Sequence, residues 1–183
     1  ESVKMMTEEL SSDGNEMPLF SELILGLPEE TRQSHLDANR TMIDAGAEMI
    51  NYNLFLLPGT EMNTKESREK YFKETGFRLG DNAYGVYDGI AVFEGEETVQ
   101  ATSTMSREEL RGFRFFHFLL HFMWGQRHYY DYLNLLKGLG IHPIDLIDRI
   151  CQTFPTDGDN PLGELHQAFK TDHDLECFRT YEE

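Results

Sequence analysis

His117 and His121 stand four residues apart in a stretch crowded with phenylalanine, and His128 follows. On a helix that spacing brings both imidazoles to one face, one turn apart, where two ring nitrogens can hold a divalent metal. A zinc site would add a glutamate beside the first histidine or a third ligand close by. Here the neighbours are Phe116, Phe118, Leu120 and Phe122, so packing or helix-surface histidines are expected and no metal is assigned. Cys151 and Cys177 are the only cysteines. They offer neither cluster spacing nor a disulfide framework and are read as structural or idle thiols. Arg111, Arg114 and Arg127 could meet a carboxylate. Glu94, Glu96 and Glu97 precede a β-rich segment, Thr98 to Thr104, and are read as a solvated loop. No Ser-His-Asp signature, phosphate loop or dinucleotide-binding glycine pattern is present. The segment with the strongest chemical content is instead Glu22 to Thr31, an apolar run broken at Gly26 and Pro28, with Glu29 and Glu30 leading into helix-forming sequence.

That segment reads as a strand, from about Pro18 to Gly26, that turns sharply into a helix. Side chains alternate along a strand, so Phe20, Glu22, Ile24 and Gly26 share one face while Leu23, Leu25 and Leu27 share the other. Between Thr31 and Ala45 the apolar positions Leu36, Met42 and Ile43 recur at roughly helical spacing, with Gly46 as a stop. A second apolar run, Ile50 to Leu57, ends in the turn Pro58-Gly59. Two strands flanking one helix at this spacing describe a βαβ crossover.

The remaining segments have their own punctuation. Ser2 to Leu10 has the composition of a helix end, and Ser11 to Asn15 reads as a loop. Thr64 to Thr75 is expected to be a charged helix capped by Thr64 and stopped by Gly76. Tyr84 to Tyr87, Asp88-Gly89 and Ile90 to Phe93 predict a β-hairpin, because Asp-Gly supplies the positive φ angles of a tight turn. Ser106 and Glu109 form a capping box that opens the longest helical segment, to about Lys137 with a break near Gly125. Phe113, Phe116, Leu119, Leu120 and Met123 give it a broad apolar face, expected to be core before partner groove. Pro143 opens a helix through Cys151, and Pro161 another through Phe169.

Residues 18 to 105 resemble the fifth and sixth strands of the radical S-adenosylmethionine (SAM) barrel, in the subgroup that often carries a cobalamin-binding domain upstream. The family pattern on the fifth strand is glycine, any residue, isoleucine, any residue, glycine, two of any kind, glutamate. The matching positions are Glu22, Ile24, Gly26 and Glu29; Glu22 replaces the first glycine. The resemblance implies that Ile24 contacts adenine, that Gly26 lets the chain turn past the ligand, and that the backbone of Leu56 and Leu57 faces the adenine ring. It also implies a 4Fe–4S cluster held by three cysteines on an earlier strand, with SAM on the remaining iron. No such cysteine motif is present. The expectation is therefore a C-terminal part of a radical SAM enzyme, inactive alone, with cobalamin as a further cofactor of the parent and Arg111, Arg114 and Arg127 as groups that could meet a cobalamin side chain.

The fold class expected is α/β: the C-terminal βαβ portion of a partial (β/α) barrel followed by a β-hairpin and a helical C-terminal region, divided at 1–105 and 106–183. A formal charge of −17 over 183 residues, with no Lys/Arg cluster, repels phosphate backbones and argues against nucleic acid. No signal-like or membrane-spanning run occurs, and the cysteine usage suits a reduced cytoplasmic setting. Because the chain begins at Glu1, upstream sequence is expected. The partners expected are that missing N-terminal part and a small-molecule substrate. Strand edges bared by a cut barrel are expected to be covered by self-association or by the chain's own C-terminal helices. The rival reading is a non-catalytic interaction or scaffold module with an aromatic helical partner surface. A complete small α/β enzyme ranks last, for want of a nucleophile, base or metal constellation.

Overall fold

The computed structural model describes Met5, residues 19–153 and residues 160–179, with the backbone alone for residues 81–83. The helix end and loop expected over residues 2–15 lie, Met5 apart, outside the described residues. The chain is mixed α/β. In order it forms β1 (Phe20–Leu25), α1 (Arg32–Asp44), β2 (Glu48–Asn53), α2 (Lys65–Tyr71), β3 (Phe72–Tyr87), β4 (Ile90–Thr102), α3 (Arg107–Leu120), a π-helical turn (His121–Gly125), α4 (Tyr130–Gly138), α5 (Pro143–Thr153) and α6 (Pro161–Glu176). The strands make two two-stranded sheets, β1 with β2 and β3 with β4, and no closed barrel is present among the described residues. No described helix is long and apolar enough to cross a membrane. The chain divides into two compact units: residues 1–25, 31–52 and 113–155, and residues 26–30, 53–112 and 156–183.

In the first unit β1, α1 and β2 form the expected βαβ segment. Thr31 caps α1 through a reciprocal box in which Ser34 N–H donates to Thr31 Oγ1 (3.1 Å) and Thr31 N–H to Ser34 Oγ (2.9 Å). Glu48 N–H donates to Leu19 C=O at 2.8 Å, tying the start of β2 to the start of β1 as a crossover requires. β2 begins two residues before the expected Ile50 and ends at Asn53 rather than Leu57. Leu36, Ile43 and Met49 are buried, as are Phe113, Phe115 and Phe116 of α3, Leu133 of α4, and Ile144 and Ile147 of α5. At about 25 cal/mol per Å² of apolar surface, these side chains supply most of the drive for this unit. Arg32 pairs with Asp148 and Arg40 with Asp145, tying α1 to α5. The expected long helix breaks where Gly125 suggested, through the π turn and a left-handed Arg127 (φ 62°).

The second unit is organised by the β3–β4 hairpin. Asp88 (φ 50°) and Gly89 (φ 79°) form the expected tight turn, with Tyr87 opposite Ile90. The hairpin is far longer than the expected Tyr84–Phe93, and it corrects the helix expected over Thr64–Thr75. Thr64 caps α2 as anticipated, accepting from Ser67 N–H, but the helix stops at Tyr71. Phe72 is buried and pairs with Thr102, so ladder hydrogen bonds override the helical preference of the charged residues that follow. Gly76 is therefore no helix stop. A Cβ there would lie 3.1 Å from Phe178 C=O, so the residue lets the C-terminal segment approach the outer edge of β3, where Phe77 and Phe178 exchange two 2.7 Å backbone bonds. On the opposite edge Leu54 C=O accepts from Val99 N–H and Leu56 N–H donates to Glu97 C=O. Both edges are covered at the base of the hairpin by the chain itself. Asn160 caps α6, which runs to Glu176 rather than Phe169, because His166 and His173 are buried on its inner face and Asp174 pairs with Arg111.

Candidate functional site

Glu22 and Ile24 lie on β1 in the first unit; Gly26, Glu29, Leu56 and Leu57 belong to the second. On β1, Leu25 is buried while Phe20, Glu22 and Ile24 are exposed. Along β2, Met49 is buried and Asn51 reaches Asn39 of α1, so Ile50 and Tyr52 project from the face away from that helix. Among the described residues, the face of this sheet away from α1 thus carries Phe20 (53 % exposed), Ile24 (41 %) and Tyr52 (43 %). That much apolar surface on one small sheet face is unfavourable in water.

Gly26 adopts φ 95°, a left-handed conformation that only glycine takes without strain. Its N–H donates to the Glu30 carboxylate at 2.7 Å, and a Cβ there would stand 3.7 Å from Leu54 and 3.9 Å from Val99 and Leu110, in ordinary contact. Glu29 is exposed and left-handed (φ 63°). Leu56 is buried. Its N–H donates to Glu97 C=O (2.8 Å) and its C=O accepts from Asn63 Nδ2 (2.8 Å), so its backbone polar groups serve the fold. Leu57 projects an exposed side chain. Of the residues that the resemblance assigns to an adenosyl group, Ile24 in the first unit and Leu57 in the second expose apolar side chains, and the backbone of Leu56 is engaged.

An iron–sulfur cluster does not fit the chain's own thiols. Cys151 lies on α5 in the first unit and Cys177 in the second. Burial pushes the Cys151 thiol up to about 12, with Asp148 adding to the rise, so the thiolate a cluster needs is disfavoured. Cys177 Sγ accepts from Gln100 Nε2 at 3.5 Å.

The histidines assemble differently from a metal pair. His117 of α3 meets His35 of α1, Nε2 to Nε2, at 2.9 Å, with Phe113 edge-on to His35 at 4.8 Å between ring centroids. Burial, and then the adjacent His35 ring, hold His117 well below the ordinary histidine pKa. His121 turns instead to Gln126 (3.1 Å). Among the described residues no three His, Cys, Asp or Glu side chains converge as a metal group. His117 and His121 line a cavity of about 380 Å³ together with Met49, Asn51, Phe118 and Trp124, all in the first unit.

No protein-family model matches the chain, and no curated protein matches it either.

Sequence reasoning missed His35, Asn39 and Asn51. His35 is 1 % exposed and Asn39 wholly buried on α1, and two polar residues four apart on the face that also carries Leu36 and Ile43 were the available signal. Asn39 Nδ2 donates to His35 C=O (2.9 Å) and Asn39 Oδ1 accepts from Asn51 Nδ2 (3.0 Å). Asn51 Oδ1 is buried and accepts from nothing, which costs about 1–3 kcal/mol.

Proposed function

We propose that this chain is a C-terminal part of a radical SAM enzyme that contributes adenosyl-binding strands, with the cluster-binding cysteines supplied by upstream sequence. The observation that carries the reading is, among the described residues, the face of β1 and β2 away from α1. A βαβ segment with a helix on one face and Phe20, Ile24 and Tyr52 exposed on the other has the two-sided apolar character of a strand pair from a (β/α) barrel, whose inner face is buried by further strands. Ile24, the residue that the resemblance assigns to adenine, stands on that face two residues before the left-handed turn at Gly26. The cluster and SAM would supply a 5′-deoxyadenosyl radical in the parent, with or without cobalamin, and this chain's share would be binding, orientation and exclusion of water.

The test uses the longest gene product that contains this chain, prepared without oxygen and reconstituted with iron. Reductive formation of 5′-deoxyadenosine from SAM, lost in Ile24→Asp, is expected. An iron-free protein that forms none, or product formation indifferent to Ile24→Asp, sinks the reading.

One observation favours the interaction-module reading. The aromatic helical residues Phe113, Phe115, Phe116 and Trp124 are buried, whereas the far end of the β3–β4 hairpin exposes Tyr84, Val86, Tyr87, Ile90, Val92 and Phe93. On this second reading the hairpin tip is a partner surface, and Tyr87→Lys with Ile90→Lys would abolish complex formation by the parent without touching SAM turnover.

A further inference from the structure

The β3–β4 hairpin changes character along its length. At its base both outer edges are covered by the chain itself, by Phe178 on β3 and by Leu54 and Leu56 on β4. The register then shifts between Leu79 and Tyr84, and the tip pairs Tyr84 with Phe93, Gly85 with Val92, Val86 with Ala91 and Tyr87 with Ile90. Among the described residues, no backbone hydrogen bond from outside the hairpin reaches Tyr84 or Val86. The usual guards of an exposed strand edge are absent too. In a chain with 33 acidic and 16 basic residues, Asp88 in the turn is the only charge from Tyr84 to Phe93, and that segment has no lysine or proline.

The turn fixes which backbone groups point outward. Asp88 and Gly89 are both left-handed, and a two-residue turn of that type is closed by a hydrogen-bonded pair, Tyr87 with Ile90. Pairs alternate along an antiparallel ladder, so Gly85 and Val92 bond to each other while the N–H and C=O of Tyr84 and Val86 turn away from β4. A two-fold axis through Gly85 sets Tyr84 of one copy opposite Val86 of another. In that antiparallel register each outward N–H of these residues meets an outward C=O, and none is left over. The side chains agree with it. Tyr84 and Val86 share a face with Phe93, whose ring lies 5.2 Å from that of Tyr84 between centroids, so an aromatic side chain meets a β-branched one on both sides of the axis. On the other face the Tyr87 ring folds over Gly85, where a Cβ would stand 2.7 Å from it.

Charge bears on the occupant as well. Two copies at −17 repel each other, and an uncharged tip lowers that cost at the point of contact. A lipid surface suits the tip less, since a bilayer offers no partner to outward N–H and C=O groups and Asp88 would lead the way in. We propose, on the reading that makes the tip a partner surface, that the partner is a second copy of this chain, paired antiparallel along Tyr84–Val86 so that two hairpins form one sheet. The paired segments are short, so the interface is of the small, transient kind.

Amide hydrogen exchange of the pure chain from about 10 μM to about 1 mM spans the range in which so small an interface populates. The Tyr84 and Val86 amides slow several-fold with concentration, while those of Gly85 and Tyr87, bonded within the hairpin, do not change. Added salt strengthens the effect, because it screens the repulsion between copies. Val86→Pro, tolerated where an edge N–H faces solvent, leaves the Tyr87 amide protected and weakens dimer formation at least about tenfold. Should that variant unfold the hairpin, exchange in the unaltered chain decides alone. Tyr84 and Val86 amides indifferent to concentration, or slowed only on adding neutral phosphatidylcholine vesicles, overturn the second copy as occupant, as does undiminished dimer formation by Val86→Pro. The wider reading of the tip as a partner surface fails by a different result, complex formation by the parent that survives Tyr87→Lys with Ile90→Lys.

Discussion

His35 Nε2 and His117 Nε2 stand 2.9 Å apart, so the pair holds one proton between two ring nitrogens and has no place for a second. His117 is depressed in the fold by burial first and by His35 next. As pH falls below about 6.5 the unfolded chain takes up protons that the folded chain resists. Stability is therefore full above that value and declines as the pH drops toward the folded pKa, with a limiting slope of about 1.4 kcal/mol per pH unit for one proton. Urea titrations between pH 5 and pH 8 should show this decline (pH window set by the histidine range). His117→Phe should flatten it, and an equally steep slope in that variant would exclude His117 as its source.

Leu133, Ile144 and Ile147 are completely buried in the helical part of the first unit, where α4 contacts α5. Leu133→Ala removes three heavy atoms from a site with no solvent to fill it and is expected to cost about 2–5 kcal/mol in denaturant unfolding. A loss below about 1 kcal/mol would mean that α4 is not held against α5 as described.

Ser106 N–H and Oγ both reach Glu109 Oε2 at 2.8 Å, and Glu109 N–H returns to Ser106 Oγ at 3.3 Å. Removing this box frees orphan N–H groups at the start of α3. Ser106→Ala should cost about 1 kcal/mol, and adding Glu109→Ala should cost less than the sum of the single losses, since the two share one set of bonds. Strict additivity in a double-mutant cycle would argue that the box does not form.

Cys151 should be the slow thiol of the pair. With its pKa raised to about 12 by burial, almost none is thiolate at neutral pH, so Cys177→Ala should react with a disulfide reagent far more slowly than an unfolded control. Rapid modification of Cys151 in the native chain would contradict its placement on α5.

Gly76→Ala should loosen the C-terminal segment from β3, because the new Cβ would press on Phe178 C=O at 3.1 Å. Faster hydrogen exchange at Phe77 and Phe178 amides, whose mutual bonds are 2.7 Å, is the expected reading, with a stability loss of about 1 kcal/mol. Unchanged exchange at both amides would show that the segment is held elsewhere.

Much of the local structure was legible without coordinates, because it is written in neighbours. Thr64 before α2, Ser106 with Glu109 before α3, Asp88-Gly89 at the hairpin turn, Gly125 at the helix break and the prolines opening α5 and α6 each act within a few residues of themselves. The errors share one cause. Thr64 to Thr75 looks helical throughout, yet residues from Phe72 onward pair with a strand some thirty residues away, and Gly76 serves an approach by Phe178 rather than a helix end. No local pattern encodes such a partner.

The candidate sites divide in the same way. The pattern Glu22, Ile24, Gly26, Glu29 is a property of spacing and could be named from the sequence, as could the four-residue separation of His117 and His121. What the sequence alone determined was an acidic chain with a βαβ segment, a hairpin, a helical C-terminal region and too few cysteines for a cluster. Only the tertiary structure decided that His117 faces His35 rather than His121, that Asn39 bridges the His35 carbonyl and Asn51, and that the backbone of Leu56 is already engaged. The physical reason is that hydrogen-bond saturation and burial depend on which distant groups arrive, and a side chain's chemistry is set by that company as much as by its own type.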